Sequence, residues 1–293
     1  MELLGEAIVG GAVTVVNAIP IGKGAALGVA LRTSSKVRLT EGEGVVRFHG
    51  AEEVGDDRVV RATVETVLKW AGVRSLDCEV EVRSEIPVAV GLKSSSSAAS
   101  AVAFALFDAL GREPSPKEAL ELIVEASLRS GTSITGAADD ASACLLGGFV
   151  VTDNTARTLL RREELRDDLV AILSVPRGKR TFTRDFKREA LTPFREVFET
   201  AFELAERGDI FRAMTINGLA QSAALGFGTG LIADALRAGA YSCSISGTGP
   251  SIVALASRSD SVRVAEALSS YGELMVIEVN NEPVTYGNKR LRI

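Results

Sequence analysis

A run of four serines, Ser94–Ser97, is the part of this sequence whose residue types best suit chemistry. It follows Gly91 and Lys93, and it leads into the small residues 98–101, which are typical of a closely packed helix. The first backbone N–H groups of a helix lack internal partners and carry the positive end of the helix dipole, so they attract anions. Gly91 would allow a backbone path that is closed to other residues, and Lys93 would place a cation beside a phosphate. The pattern therefore predicts a phosphate-binding loop that opens a helix at about residues 95–110.

The alternative for this segment is a serine-rich turn that only caps a buried helix. One serine suffices for a cap, so four consecutive serines favour the phosphate interpretation. The loop is not of the Walker A type, because no G-x-x-x-x-G-K-[ST] pattern occurs in the chain. The residues predicted to bind the phosphates of a nucleotide are Pro87, Val88, Ala89, Val90, Gly91, Leu92, Lys93, Ser94, Ser95, Ser96 and Ser97.

Two adjacent carboxylates, Asp139 and Asp140, stand in an otherwise small and uncharged segment, residues 131–148. Adjacent carboxylates repel each other and can split their pKa values, which suits proton transfer. Alternatively, one aspartate caps a helix that begins near Ala141. A cap accounts for one of the two residues, and the pair taken alone leaves both interpretations open.

Two glycine-bearing segments lie near the ends of the chain. Gly247-Thr248-Gly249-Pro250 separates two apolar stretches, which indicates either a tight backbone crossing close to a ligand or an ordinary turn between strands. Residues 10–28 are rich in glycine and contain one cation, Lys23.

The elements that must position these residues follow from hydrophobic periodicity and capping signals. Apolar residues at helical spacing predict a helix at 57–71, strict alternation predicts a strand at 76–83, and Ser115 with Glu118 forms a capping box for a helix to about Arg129. Further strands are predicted at 148–153, 169–175, 241–246, 251–256 and 273–280, and further helices near 193–206, 210–224, 229–238 and 260–270. This mixture indicates an α+β fold. The charged residues 161–168 predict a boundary between two domains, 1–160 and 161–293.

Composition narrows the classes of function. The chain has 293 residues, 46% of them hydrophobic, with a net charge of −5, whereas a nucleic-acid-binding protein normally has a basic surplus. The longest apolar run, near 101–107, is too short to span a bilayer, and the N-terminus lacks the pattern of a signal peptide. Three cysteines without CxxC spacing suggest buried thiols in a reducing cytoplasm. We therefore expect a cytoplasmic protein without nucleic-acid or membrane partners. A serine hydrolase is disfavoured, because the only histidine, His49, is far from the serine run.

Three segments, taken in order, resemble the motifs of the GHMP kinases: Pro-x3-Gly-Leu-x-Ser-Ser-Ser from Pro87, the acidic segment 131–148 and the glycine segment 244–255. The amino-acid sequences of these segments are most similar to archaeal shikimate kinases. The same holds for residues 10–28 and for Val279-Asn-Asn-Glu282. The resemblance implies a two-lobed fold, with an N-terminal lobe like ribosomal S5 domain 2, a ferredoxin-like C-terminal lobe and the active site in the cleft between them.

The resemblance also implies roles for single residues. Asp140, seven positions before Gly147, would orient or deprotonate the acceptor hydroxyl. The residues implied to contact the substrate are Asp139, Gly247, Thr248 and Gly249. Ser97 and Glu125 would hold Mg²⁺, although Glu125 could instead be a solvated helix residue. A cation for a substrate carboxylate would come from Lys23 or from the basic stretch Arg177, Lys179, Arg180 and Arg184, which could also be a solvated surface loop.

The implied activity is ATP-dependent phosphorylation of shikimate to shikimate 3-phosphate, with ATP and Mg²⁺. One alternative is a homoserine kinase of the same fold, in which Asp139 would pair with the amine of the substrate. A second alternative, from another class, is a non-catalytic ligand sensor that keeps the glycines, although such a protein could lose the acidic residue that is present here as Asp140.

Overall fold

The computed structural model describes residues 2–50, 57–73, 76–178 and 186–292. The helices are α1 (Arg58–Trp70), α2 (Ser94–Ala109), α3 (Pro116–Arg129), α4 (Ala138–Leu146), α5 (Arg195–Glu206), α6 (Ile210–Leu225), α7 (Gly230–Arg237) and α8 (Ser261–Leu268), with a 3₁₀ helix at Arg188–Phe194. The strands are β1 (Glu2–Val16), β2 (Lys23–Glu41), β3 (Val46–His49), β4 (Leu76–Ser84), β5 (Phe149–Asp153), β6 (Thr158–Glu163), β7 (Leu169–Val175), β8 (Ser242–Ile245), β9 (Ile252–Ser257), β10 (Glu273–Glu278), β11 (Thr285–Tyr286) and β12 (Lys289–Arg290). In the described ranges, none of the helices is long and apolar enough to cross a bilayer.

The larger sheet is built on a long antiparallel hairpin of β1 and β2. Its strand order is β12-β11-β1-β2-β4-β3, and β5 pairs with the first residues of β2 and then with β6. Helix α2 lies across β1 and β2, and its Phe104 and Phe107 belong to the core of this lobe. The sheet therefore supports α2 along its length, so that the N-terminus of this helix has a fixed position.

The sequence analysis did not assign β1 or β2, yet these are the longest strands in the described ranges. Their glycines obscured the strand pattern, because glycine normally weakens a strand. At Gly5 the reason for glycine is close packing, since a Cβ there would overlap with the backbone carbonyl of Ala105 in α2. Only the tertiary contact explains why glycine is tolerated at this position.

The smaller sheet has the order β10-β7-β9-β8, and all of its neighbouring strands are antiparallel. One face packs against α7 and α8 through residues such as Ile172 and Ala254. The other face shares a hydrophobic cluster with β1, β2, α5 and α6, in which Val13 and Leu27 lie with Leu173 and Val253. The two sheets thus share one hydrophobic cluster between them, and the predicted α+β class is confirmed.

The chain returns to the larger sheet after β10. Strand β11 pairs with β1, and the side chain of Asn281 holds the backbone of Leu165, accepting from its N–H at 2.8 Å and donating to its carbonyl at 2.9 Å. Strand β6 also belongs to the larger sheet, so the predicted boundary segment 161–168 includes the end of that strand. The division into domains at residue 160 stays a prediction, and the return of 285–290 was not foreseen.

Local signals placed several elements closely. The capping box of α3 is formed, because the N–H of Glu118 donates to Ser115 Oγ at 3.2 Å and the Glu118 carboxylate accepts from the N–H of Ser115 at 3.0 Å. Helix α3 ends at Arg129 and β7 spans Leu169–Val175, both as predicted. Helix α4, by contrast, begins at Ala138 instead of Ala141, which changes the position of the two aspartates in it.

Candidate active site

The predicted phosphate loop lies at the N-terminus of α2. Lys93 is the N-cap residue, in the left-handed conformation at φ 66° and ψ 30°, and Ser94–Ser96 form the first helical turn. Gly91 has φ 87°, and a Cβ at this position would overlap with the carbonyl oxygen of Ser246. The hydroxyl of Ser246 donates to the Gly91 carbonyl at 2.8 Å. Glycine is required here both by the backbone conformation and by the contact with the second lobe.

The two aspartates lie in the first turn of α4, and both are buried. The N-cap residue is Ala137, at φ 53°, and no side chain caps the helix. The interpretation of one aspartate as a cap is therefore wrong for both residues. Carboxylates in a first helical turn are favoured by the helix dipole, which partly offsets the cost of burying them.

Backbone strain is concentrated around one cavity. Ala89, Lys93 and Ala137 are three of the four non-glycine residues at positive φ in the described ranges, and all three line this cavity. Such conformations cost about 1–3 kcal/mol each and persist only where the surrounding structure holds them. The cavity wall is therefore held in a fixed shape by the packing around it.

The cavity is lined by both lobes. Residues of the lobe built on the larger sheet form most of the wall. Gly247 and Thr248, which follow β8 in the lobe of the smaller sheet, complete it. The residues lining it are Thr14, Asn17, Ala18, Ile19, Arg58, Val88, Ala89, Gly91, Lys93, Ser94, Ser95, Ser96, Gly131, Thr132, Ser133, Ile134, Thr135, Ala137, Asp139, Asp140, Gly247 and Thr248. The structure thus brings together the three segments that the sequence analysis selected, and the N-termini of α2 and α4 meet at this cavity.

An ion pair joins the two helix N-termini. The Nζ of Lys93 lies 2.9 Å from Oδ1 of Asp140, and each side chain is 11% exposed. Burial and, second to it, the neighbouring charge of Asp139 raise the pKa of Asp140, whereas the ammonium of Lys93 lowers it, and the net result is a pKa of about 7. A carboxyl group that titrates near neutral pH can accept a proton under physiological conditions.

Asp139 has a different environment. Its Oδ1 accepts a hydrogen bond from Asn154 Nδ2 at 2.8 Å, and the same Nδ2 contacts Thr135 Oγ1 at 3.1 Å. The Oδ1 of Asn154 accepts from Thr152 Oγ1 at 2.6 Å. Asp139 is thus held by a neutral donor, the amide of Asn154, whereas Asp140 faces a cation. Sequence reasoning missed Asn154, for which the available signal was a polar residue directly after a buried strand.

Not every residue of the predicted phosphate loop lines the cavity. Val88, Ala89, Gly91, Lys93 and Ser94–Ser96 do so, whereas Val90 and Leu92 belong to the core between the two sheets and Pro87 is not part of the wall. Gly249 also lies behind the wall, and its N–H donates to the Ser246 carbonyl at 2.9 Å. It shapes the turn that presents Gly247 and Thr248 to the cavity.

Lys23 does not line the cavity, contrary to the prediction that it binds a substrate carboxylate. Residues 23 and 24 are consecutive in β2, so their side chains point to opposite faces. A Cβ at Gly24 would lie 2.5 Å from Oδ2 of Asp139, which places the site on that face. The Nζ of Lys23 lies instead 5.4 Å from the centroid of the Phe202 ring.

The structure also corrects the predicted metal ligands. Ser97 is fully buried, and its hydroxyl faces the carbonyl of Gly10 at 3.4 Å. Neither Ser97 nor Glu125 belongs to the cavity wall. No group of three or more His, Cys, Asp or Glu side chains suited to a metal ion occurs in the part of the chain that the structure describes. These two residues do not fit a metal site in this geometry.

Arg58 was missed by the sequence analysis, although it lines the cavity. It is the first residue of α1, where a cation is disfavoured by the helix dipole, and this unusual placement was the available signal. Of the predicted basic stretch, Arg177 pairs with Glu273 at 3.3 Å on the surface. Lys179, Arg180 and Arg184 lie outside the described residues.

Comparison with known proteins relates this site to a family. Residues 58–148 match the GHMP kinases N terminal domain, and residues 229–274 match the GHMP kinases C terminal domain. The chain is 45% identical to a shikimate kinase from Methanothrix thermoacetophila over 273 residues, which cover 92% of this chain and 91% of that protein. It is 38% identical to a shikimate kinase from Methanococcoides burtonii over 97% of this chain and 99% of that protein.

Solved structures agree on the fold. A homoserine kinase from Cytophaga hutchinsonii superposes with a TM-score of 0.73 at 23% identity, covering 97% of each chain. A mevalonate diphosphate decarboxylase from Enterococcus faecalis also gives a TM-score of 0.73, at 17% identity, covering 99% of this chain and 100% of that one. At these identities the likeness shows the two-lobed fold alone.

Proposed function

The chain belongs to the GHMP kinases, with full-length similarity to archaeal shikimate kinases, and we propose that it transfers the γ-phosphoryl group of ATP to a hydroxyl of shikimate. The product is shikimate 3-phosphate. The observation that carries this proposal is the ion pair between Lys93 and Asp140, which places a cation and a near-neutral carboxyl group between two helix N-termini in one cavity.

The nucleotide phosphates bind at the N-terminus of α2 in this proposal. Ser94–Ser96 line the cavity in the first turn of α2, where backbone N–H groups lack helical partners and the helix dipole adds partial positive charge. Lys93 provides a full positive charge for the γ-phosphate. Phosphoryl transfer depends chiefly on positioning and on neutralising charge, so these groups supply the larger part of catalysis.

Asp140 acts on the acceptor. The hydroxyl oxygen forms a bond to the γ-phosphorus while the bond from that phosphorus to the bridging oxygen breaks, and ADP leaves with those electrons. The hydroxyl proton passes to the carboxylate of Asp140, whose pKa of about 7 suits this transfer. When the γ-phosphate approaches, Lys93 lies close to two anions, the carboxylate of Asp140 and the γ-phosphate. This single cation then neutralises charge on both.

Asp139 is proposed to bind a substrate hydroxyl. Its Oδ1 is held by Asn154, so the carboxylate has a fixed orientation at the cavity wall. Thr14, Asn17 and Thr248 are further polar residues of the wall. A small polyhydroxylated acid matches such a polar lining. The cation for its carboxylate remains a prediction from the basic stretch at Lys179, Arg180 and Arg184.

Mg²⁺ is proposed only as the ion that accompanies ATP. The predicted ligands do not fit it, because the Ser97 hydroxyl faces Gly10 and Glu125 is outside the cavity wall. Mg²⁺ commonly keeps several waters and binds through substrate phosphates and one or two carboxylates, which requires no cage of protein ligands.

The location of the reaction in the cytoplasm also remains a prediction from the sequence.

The test is ATP-dependent phosphorylation of shikimate, homoserine and mevalonate assayed side by side with the purified chain. We expect turnover of shikimate, with shikimate 3-phosphate identified as the product. Turnover of homoserine without shikimate would leave only the kinase class. Binding of ATP and shikimate without any phosphorylated product would favour a ligand sensor instead.

A further inference from the structure

A cluster of buried polar side chains connects the two lobes behind the cavity. Its members are Thr14, Asn17, Asn217, Gln221, Ser244 and Ser246. Asn17 is 4% exposed, Thr14 is 1% exposed and the other four are fully buried. Thr14 and Asn17 line the cavity, whereas Asn217 and Gln221 of α6 do not. We call this group the interlobe polar cluster.

Asn217 holds the acceptor side of the cavity wall. Its Oδ1 accepts from the backbone N–H of Asn17 at 2.9 Å, and its Nδ2 donates to Ser244 Oγ at 2.9 Å. The side chain of Asn17 in turn accepts from the N–H of Ile19 at 2.9 Å. The side-chain amide of Asn217 therefore attaches wall segment 17–19 to α6. The same amide also bonds to the hydroxyl of Ser244, so its oxygen and its nitrogen both have partners.

Gln221 holds the peptide of Gly247. Its Nε2 donates to the Gly247 carbonyl at 2.6 Å, and Asn17 Nδ2 donates to the same oxygen at 3.1 Å. The N–H of Gly247 donates to Thr14 Oγ1 at 2.8 Å. The carbonyl and the N–H of Gly247 thus both bond to partners, which come from the two lobes. These hydrogen bonds fix the position of Gly247 in the cavity wall.

Ser246 extends the cluster to the phosphate loop. Its hydroxyl donates to the Gly91 carbonyl at 2.8 Å and accepts from the N–H of Thr14 at 3.2 Å. Three wall segments, at residues 17–19, 247–248 and 91–93, are consequently joined through one set of hydrogen bonds. The acceptor side and the phosphate side of the cavity share a common support.

The chemistry of the cluster indicates positioning more than stability. Burying amides is costly unless every group finds a partner, and apolar residues of similar volume often stabilise a core as well or better. Fully satisfied polar networks rigidify a core and specify a unique arrangement, because each hydrogen bond requires a particular direction. A transfer reaction needs such accuracy, since a displacement of about 1 Å can cost about 10²-fold in rate.

We propose that Asn217 and Gln221 are positioning residues for phosphoryl transfer, which hold segment 17–19 and Gly247 in register with the phosphate loop. This inference rests on the kinase activity proposed above. Neither side chain lines the cavity, so both act through the backbone of residues that do.

The experiment compares Gln221→Met and Asn217→Leu, which keep the approximate volume and remove the amide. The matched control is Ser174→Ala, which removes a buried hydrogen bond to the Leu268 carbonyl, at 3.1 Å, away from the cavity. We expect kcat for shikimate to fall about 10- to 100-fold in both amide variants, while the dissociation constant of ATP changes less than about threefold. The control should lose thermal stability and keep its kcat.

Folded amide variants with a kcat within twofold of wild type would overturn the inference while leaving the proposed function intact. An equal loss of kcat in the Ser174→Ala control would do the same, because it would indicate general destabilisation. Gln221→Ser provides the second test if the apolar variants do not fold, since its short hydroxyl side chain cannot replace the long amide that donates to the Gly247 carbonyl. Wild-type kcat in a folded Gln221→Ser variant would overturn the inference. A wild-type chain without kinase activity would overturn the proposed function and this inference together.

Discussion

The Nζ of Lys93, at the N-cap of α2, lies 2.9 Å from Oδ1 of Asp140 in the first turn of α4. The two residues are 47 positions apart in the sequence, and the pair is largely shielded from solvent. It connects the proposed phosphate-binding element to the proposed proton acceptor. The ammonium of Lys93 lowers the pKa of Asp140, and several consequences can be measured.

Asp140→Asn removes the proton acceptor and keeps the size of the side chain. We expect kcat for shikimate to fall about 10²- to 10⁴-fold, which is the usual contribution of a general base, with little change in the affinity for ATP. The control is Asp153→Asn, since Asp153 bonds to the N–H of Ala156 and does not line the cavity. Near-normal turnover in Asp140→Asn would move the role to Asp139 or to no base at all.

Lys93→Met removes the cation beside Asp140. The ammonium lowers the pKa of Asp140, so its loss should move the acid limb of the pH profile of kcat/KM to higher pH. The same change should weaken ATP binding about ten- to a hundredfold, because a charge-assisted hydrogen bond contributes about 1.5–3 kcal/mol. Kinetics from pH 5 to 9 and nucleotide titration test both effects. An unchanged acid limb would contradict the assignment of that limb to Asp140.

Ser95→Leu and Ser96→Leu place bulk over the first amides of α2. We expect the dissociation constant of ATP to rise at least about tenfold, since these amides are proposed to hold the phosphates. Ser95→Ala is the matched control, because it removes a hydroxyl without covering the amides, and its effect should be smaller. Unchanged affinity in the folded leucine variants, measured by calorimetry, would count against the loop assignment.

Lys23→Met should leave the KM for shikimate within about twofold of wild type, because the Lys23 side chain lies over Phe202 on the opposite face of β2. A large rise in the KM for shikimate in Lys23→Met would restore the prediction made from the sequence.

Arg58→Met should raise the KM for ATP about tenfold. Helix α1 packs on α2 and α3, so Arg58 lies in the part of the cavity wall that is next to the proposed phosphate-binding helix α2.

Asp140 should also make stability depend on pH. Its pKa is about 7 in the folded chain and near 3.8 when unfolded, so between these values the folded state binds the extra proton. The free energy of unfolding should therefore fall as the pH rises from about 4 to 8, by at most about 4 kcal/mol from this residue. Denaturant unfolding of wild type and Asp140→Asn at several pH values tests this. Equal pH slopes for the two proteins would contradict the raised pKa.

Local sequence signals were sufficient for much of this protein. The capping box at Ser115, the strand at 169–175 and the helix that follows the predicted phosphate loop each depend on residues close together in the chain, where capping and periodicity act. The resemblance to the family followed from three such segments taken together, in their order along the chain. The two aspartates selected for chemistry both line the cavity, although the start of their helix was placed three residues late.

The tertiary structure decided which of the selected side chains meet. The side chain of Lys23 points away from the cavity, because consecutive residues of a strand project to opposite faces and Gly24 is on the cavity side. Ser97 is buried against Gly10, because α2 packs on β1. Arg58 lies in the cavity wall, and Asn217 bonds across the two lobes to Asn17, which is 200 residues away in the chain. The sequence alone determined the chemical groups and the local backbone that presents them. Their distances and burial, and the raised pKa of Asp140, depend on contacts between distant segments that only the folded chain establishes.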